Sequence, residues 1–418
     1  MKYILSIGMN DYKRRLGGTN KVILEHFQLF REHGYGYIYI CPVRNKNGKL
    51  WEIIVNNYLY RIRKTEHLLF FLYNLELKGN SILEIHIHHL LNVSLVEIGK
   101  ILSYVNGNIK YYIHDYFSIC PSIKLLKNDK KFCGAEGMSE RKCKECKYYL
   151  AGVEQNILLR KIFAKYEDRI TFIAPSDIAK EVWLKAYPAY REKTIVIYHQ
   201  KLWGAYPKNR ELVKDEMKVA FLGEQSYAKG WNAWKEITSV LSEKQYQFFY
   251  FGKDKDENEN TINVNVNFQK NLNAMIYALR KKKIDCVILW SKCEETYSYT
   301  YYESLAANVY VITSQKSGNI AKQVAVKKNG IVLKDEDELI ALLENFNLLK
   351  KYVNSYKLNG SLGPAKLIIN SDILKYINAD ADKNVKKIRK NKITWEERFF
   401  SFYYAAICGM YCLKRIMP

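Results

Sequence analysis

The chain has 418 residues, with 66 Lys and Arg against 43 Asp and Glu, a formal net charge of +23 and a hydrophobic share of 48%. This length implies about two or three domains, and the apolar share is enough for ordinary cores. No run reaches the roughly 18 apolar residues of a membrane-spanning helix and no nucleic-acid-binding module is recognisable. Both classes are therefore set aside, and the basic surface is read as suited to anionic substrates or an anionic membrane.

Met1 to Gly8 is short and runs straight into polar residues, so it reads as a buried strand and not as a leader. That places the chain in the cytoplasm, with its nine Cys mostly reduced. Apolar runs predict strands over 2–7, 37–41, 82–88, 109–114, 169–174 and 194–198, with helices over 19–33, 65–78, 93–105 and 177–187. Residues 202–216 are polar and suit a linker. The pattern restarts with strand 217–223 and helix 230–241, then strands at 247–251, 261–266, 284–290, 309–313 and 330–333, with a helical run at 303–307.

Strand–helix alternation predicts parallel sheets with crossover helices. Two such α/β units, residues 1–200 and 217–375, form two Rossmann-like doubly wound domains facing across a cleft. Ligands bind in open sheets of this kind at the carboxyl ends of the strands. Residues 376–418 hold a basic run at 386–390, a capping-box spacing from Thr394 to Glu397 and an apolar run at 399–413. They read as a final helix that packs back on the first domain or lies on an anionic membrane surface.

The densest chemistry lies between Glu295 and Glu303, after the apolar run ending at Trp290. Backbone N–H groups near Ser298, Tyr299 and Thr300 fall at a helix start, a ready diphosphate site. The flanking carboxylates suit sugar hydroxyls, so the pattern fits a nucleotide-diphosphate sugar. Gly17 and Gly18 precede the first helix and permit close backbone approach to a phosphate or an acceptor. His114 and Asp115 end a strand at the cleft, with Asp115 placed to orient the imidazole.

Five motifs in order resemble those of the retaining glycosyltransferases of GT-B fold, family four, over roughly residues 1–350. They are Gly17-Gly18-Thr19, His114-Asp115, Ala174-Pro175-Ser176, Phe221-Leu222-Gly223 with Lys229-Gly230, and Glu295 to Glu303 with seven residues between. The resemblance implies His114, Lys229 and Glu295 as catalytic residues, and Gly17, Gly18, Ser298, Tyr299, Thr300 and Glu303 as donor-binding residues. It implies transfer with retention and no cofactor or catalytic metal. The partners implied are a nucleotide-diphosphate sugar and a glycan or lipid-linked acceptor, in capsule or lipopolysaccharide assembly at the inner face of the membrane, and no nucleic acid. One departure stands out: the family carries an Arg directly after the strand-ending glycine, and this chain has Glu224. That keeps open a second reading, a catalytically weak partner subunit that binds glycan.

Cys120, Cys133, Cys143 and Cys146 cluster in a polar stretch, and the Cys-Lys-Glu-Cys pair suits a structural zinc. His86, His88 and His89 are read first as structural, a metal reading ranking below that. Asp380-Ala-Asp382 is read as a solvated turn.

Overall fold

The computed structural model describes residues 1–15, 17–43, 48–204, 211–241, 245–252, 260–268, 270–359, 366–377, 394, 395, 397 and 398. Asp380-Ala-Asp382, the basic run at 386–390 and the apolar run at 399–413 lie outside these residues.

In chain order the first half contains β1 (Lys2–Ile7), α1 (Gly18–Glu32), β2 (Gly36–Pro42), β3 (Leu50–Val55), β4 (Tyr58–Lys64), α2 (Thr65–Leu77), β5 (Ser81–Ile87), α3 (Leu95–Tyr104) and β6 (Asn108–Tyr112). The short β7 (Leu126–Lys127) and β8 (Lys131–Phe132) follow, then α4 (Glu140–Cys143), α5 (Tyr149–Lys165), β9 (Ile170–Ala174), α6 (Asp177–Leu184), β10 (Thr194–Val196) and β11 (Gln200–Trp203). The second half contains β12 (Met217–Leu222), α7 (Trp231–Val240), β13 (Tyr246–Gly252), β14 (Thr261–Asn265), α8 (Ala274–Lys281), β15 (Cys286–Leu289), α9 (Tyr299–Ala307), β16 (Tyr310–Ser314), α10 (Asn319–Lys327) and β17 (Gly330–Leu333). It closes with α11 (Glu336–Glu344), α12 (Phe346–Asn359) and β18 (Lys366–Ile369).

The first sheet has eight strands in the order β10-β9-β6-β5-β1-β2-β3-β4. Its left part is parallel, and β2, β3 and β4 close the other edge as an antiparallel meander. Successive residues of β1 serve opposite faces: Ile4 packs in one core with Tyr39 and Phe30, Leu5 in another with Ile85 and Leu68. Burial on both faces is why its parallel strands read as continuous apolar runs.

The second sheet is wholly parallel, in the order β14-β13-β12-β15-β16-β17. This is the doubly wound order of a dinucleotide-type fold. Val219 and Phe221 face one core, Ala220 and Leu222 the other.

Residues 202–216 are not all linker. Gln200–Trp203 pairs antiparallel with Lys366–Ile369, so the outgoing and returning chains form one ribbon between the halves. Beyond it Ile369, Ile373 and Leu374 pack into the first half's core beside Ile4 and Tyr12.

Thr394 and Glu397 form the expected capping box: Thr394 N donates to Glu397 Oε2 at 2.7 Å, and Glu397 N donates to Thr394 Oγ1 at 3.4 Å. The other oxygen of Glu397 accepts from Lys64 N at 3.0 Å and lies 2.7 Å from His67 Nδ1, with the residue fully buried. Glu397→Ala leaves those donors unpaired and is expected to cost about 1–3 kcal/mol. A thermal melt checks this; an unchanged midpoint would mean the contact does not hold this segment in place.

Candidate functional site

β12 and β15 are parallel neighbours, and the chain leaves them toward opposite edges of the sheet. That switch point opens a crevice beyond their carboxyl ends, and the two following loops bring Lys229 and Glu295 together. Lys229 Nζ lies 2.7 Å from Glu295 Oε1, which also accepts from Ser291 Oγ at 2.7 Å. Burial acts against both charges, and each ion outweighs it for the other. Lys229 is held above the ordinary ammonium value and Glu295 below the ordinary carboxylate value.

Two glycines fix this pair. Gly230 has φ 83°, and a Cβ there would lie 2.2 Å from Trp290 O, so only glycine lets the Lys229 turn approach the β15 loop. Gly318 has φ +58°, and a Cβ there would lie 2.5 Å from Glu295 N. The next residue, Asn319, donates its N–H to Glu295 O at 2.9 Å, so α10 locks the carboxylate's backbone.

Helix α9 starts at Tyr299 with Ser298 as N-cap, its hydroxyl accepting from Tyr301 N at 3.4 Å. Ser298 sits at φ 68°, a costly angle for a residue with a side chain. Helix geometry leaves the first N–H groups, those of Tyr299 and Thr300 among them, without intrahelical partners. The helix starts where the sequence places the free N–H groups, near Ser298 to Thr300, ahead of the apolar helical run at 303–307, and Glu303 falls in its second turn, buried.

The two halves meet directly over this site. Lys21, in the first turn of α1 beside Gly17 and Gly18, reaches Glu303 Oε1 at 2.7 Å, and its ammonium sits 4.4 Å from the Tyr299 ring centroid. Tyr299 Oη donates to Glu25 at 3.1 Å and Gln200 Nε2 donates to it at 2.5 Å. Burial pushes Glu25 up to about 7 against the pull of Lys21. A Cβ on Gly17 would meet nothing, and one on Gly18 would meet only the Tyr299 ring at 3.6 Å. Ser176 Oγ donates to Thr296 O, and Thr296 Oγ1 to His114 O, each at 2.6 Å, so the motif loops of both halves interlock.

His114 lies on the first half's side, half-buried and stacked on Tyr112 and His88. Burial, reinforced by His199, keeps it well below the ordinary imidazole value and therefore neutral. The expectation that Asp115 orients it is corrected. Asp115 accepts from Phe117 N at 2.9 Å and pairs with His89 at 2.8 Å, whereas His114 Nε2 is held by His88 Nδ1 at 2.9 Å. The cause is register: His88 lies on the same side as His114, and His89 points to the other.

Glu224 does not face the site unpaired. Lys124, from the first half's loop, lies 3.5 Å from its Oε2 and also helps hold Glu295 ionised. Cys120, Cys133, Cys143 and Cys146 lie between β6 and α5, with Cys143 in α4, and the structure does not bring their thiols within metal-ligand spacing of one another; burial raises Cys120 to about 11, with the other thiols adding to it. Among the described residues the His/Cys/Asp/Glu group with ligand atoms all within 4.8 Å is His26, His86 and His88.

Lys21, Glu25, Lys124 and Ser291 were missed by the sequence reading. The one local signal was Lys21 and Glu25 at i, i+4 just after Gly17-Gly18, which a surface helix also carries.

No protein-family model and no curated protein matches the chain. Solved structures do match. A sucrose-phosphate synthase from Thermosynechococcus elongatus aligns with TM-score 0.56 and 13% identity over 86% of this chain and 93% of that one. WaaG, a glycosyltransferase involved in lipopolysaccharide biosynthesis, aligns with TM-score 0.53 and 10% identity over 90% and 100%. Anabaena HepE in complex with UDP-glucose aligns with TM-score 0.52 and 12% identity over 85% and 93%. The likeness shows the fold: two Rossmann-like sheets in the GT-B arrangement of these glycosyltransferases, as the sequence resemblance implied.

Proposed function

We propose that the chain is a glycosyltransferase that moves a sugar from a nucleotide-diphosphate sugar to a glycan or lipid-linked acceptor with retention. The observation that carries the reading is the convergence of Lys229, Glu295 and the start of α9 at the second sheet's switch point. There a fixed cation and free N–H groups meet where a leaving diphosphate gains charge. The sugar's bond to the diphosphate breaks as the acceptor hydroxyl attacks from the same face. The hydroxyl proton passes to the departing phosphate oxygen. Glu295 holds hydroxyls of the transferred sugar, and Glu303 the ribose. Gly17 and Gly18 admit close approach from the first half, where the acceptor enters beside His114.

The Arg that the family resemblance leads one to expect is Glu224 here, and Lys124 stands beside it as the cation from the opposite half. This favours an active enzyme over a catalytically weak partner subunit that binds glycan. The test is a panel of nucleotide sugars with free and lipid-linked glycan acceptors, read by mass spectrometry, with the product anomer read by NMR. Transfer from one donor with its anomeric configuration kept is expected. Donor binding with no turnover on any acceptor would support the partner-subunit reading.

Transfer without a catalytic divalent metal follows, because Lys229 and the helix start carry the electrostatic work. Activity should survive a short exposure to chelator. Prompt loss restored by Mg²⁺ or Mn²⁺ would overturn this. If the four cysteines draw together on a structural zinc, its loss would unfold that segment slowly and spare the first minutes of such an assay.

No helix among the described residues is long and apolar enough to cross a membrane. The basic balance and the apolar run at 399–413 support a cytoplasmic enzyme lying on the inner face of an anionic membrane, in cell-surface polysaccharide assembly. Removing residues 394–418 should abolish flotation with anionic liposomes; flotation equal to that of the full chain would reject membrane attachment through this segment.

A further inference from the structure

Alternate residues of a strand share a face, so Glu84 and His86 of β5 and His88 just beyond it line up, and α1 lays His26 over them. The ligand atoms of His26, His86 and His88 all lie within 4.8 Å of one another, and the three residues are 7%, 0% and 1% exposed. Two of their ring nitrogens, Nδ1 of His26 and Nε2 of His88, are buried with no hydrogen-bond partner. Buried polar atoms are nearly always paired, so two orphans on adjacent imidazoles need a cause.

The remaining contacts have the form that metal-bound histidines take, one nitrogen for the ion and the other held from behind. His86 Nε2 lies 3.0 Å from Glu84 Oε2, whose second oxygen is 3.7 Å from Lys110 Nζ. His88 Nδ1 is 2.9 Å from His114 Nε2. On the inner side, His86 Nδ1 lies 3.0 Å from the Tyr112 hydroxyl, and the Tyr112 ring stacks on His88 at 4.4 Å.

We propose that His26, His86 and His88 form a buried site for one divalent transition-metal ion of the zinc type, apart from the donor cleft. Three imidazoles without a carboxylate ligand select Zn²⁺, Ni²⁺ or Cu²⁺ over Mg²⁺ or Ca²⁺. Nitrogens on a tetrahedral ion at about 2.0–2.1 Å stand roughly 3.3 Å apart, so the widest gap in the cluster closes by at most about 1.5 Å on loading. The ion replaces the Tyr112 hydroxyl as partner of His86 Nδ1 and leaves the phenol oxygen beside it. With the ion on Nε2, His88 donates its Nδ1–H to His114 Nε2. That fixes the tautomer of the histidine at the cleft floor and makes His88 a positioning residue.

The test uses the full chain with Cys133, Cys143 and Cys146 changed to Ser, so that the cysteine loop cannot supply the metal signal. The protein is refolded with Co²⁺ or Zn²⁺ because the site is closed to solvent. One equivalent should bind, with visible Co²⁺ bands of tetrahedral type and no thiolate charge-transfer band. His26→Gln and His88→Gln should each weaken Zn²⁺ binding by about tenfold or more against a chromophoric chelator, with circular dichroism confirming the fold. Should either variant fail to fold, the Cu²⁺ paramagnetic resonance of the histidine-intact protein decides, because three imidazoles leave a nitrogen hyperfine pattern. No bound equivalent in the cysteine-substituted protein, an oxygen-only spectrum, or unchanged affinity in both Gln variants would overturn the site. None of these readouts depends on glycosyl transfer.

Discussion

Lys229→Ala should lower kcat by about 10²–10³-fold, the usual effect of removing one preorganised donor to developing negative charge, while the donor KM changes far less. The reason is where the ammonium sits. It is anchored by Gly230 and Glu295 before any substrate arrives, so its position needs no reorganisation as the diphosphate departs. The single variant also leaves the half-buried Glu295 beside a missing cation, which destabilises the protein by itself. Lys229→Ala with Glu295→Gln, compared with Glu295→Gln alone, separates the two effects: the double variant should recover the melting temperature and keep a kcat well below that of Glu295→Gln. A recovered kcat in the double variant would mean that Lys229 serves only to neutralise Glu295.

The same pair sets the pH window. Glu295 is held below its unfolded value, so its contribution to stability is present above that value and is lost as pH falls through the depressed one. Lys229 is held above its unfolded value, so its contribution is present below that value and is lost as pH rises through the raised one. Between these limits the pair stays ionised, and turnover should be flat across neutrality as far as this pair governs it.

What could be read in the sequence follows from range. The inner strands of the second sheet announce themselves because burial on both faces makes them unbroken apolar runs, as in Phe248 to Phe251. The Glu295 to Glu303 stretch is equally local: one loop and one helix start fix both carboxylates. The β3–β4 hairpin escaped notice although it turns on Asn56 and Asn57, both at positive φ, a known hairpin signal. Its strands mix charged and apolar residues at an edge, which blurs the pattern. Long-range contacts left no trace. Lys21 and Glu303 are 282 positions apart, and Lys21 alone resembles an ordinary surface charge. His26 joins His86 and His88 only because α1 crosses that face of the sheet, so the sequence reading named His89 as the third histidine. Asp115 beside His114 looked like an orienting carboxylate, and strand register gave that part to His88.

Glu303→Gln should weaken donor binding about ten- to a hundredfold, the equivalent of losing charge-assisted hydrogen bonds of about 1.5–3 kcal/mol. Titration calorimetry with the donor, or with its nucleoside diphosphate, reads this directly. Glu303 is not idle before the donor arrives, since Lys21 holds it from the opposite half in a buried pair. A ribose must share or displace that contact, so the pair couples donor binding to the seam between the halves. Lys21→Met then gives the sharper test. If Lys21 only competes with the ribose, the variant should bind donor more tightly. If its ammonium also meets the diphosphate beside Gly17 and Gly18, affinity should fall, and the loss should not add to that of Glu303→Gln, because the two side chains are in contact. The second outcome is expected, because Lys21 lies in the first turn of α1, where a phosphate approaching the glycines would arrive. Donor affinity unchanged in Glu303→Gln would remove Glu303 from the donor site and leave its pair with Lys21 as a structural clasp between the two halves.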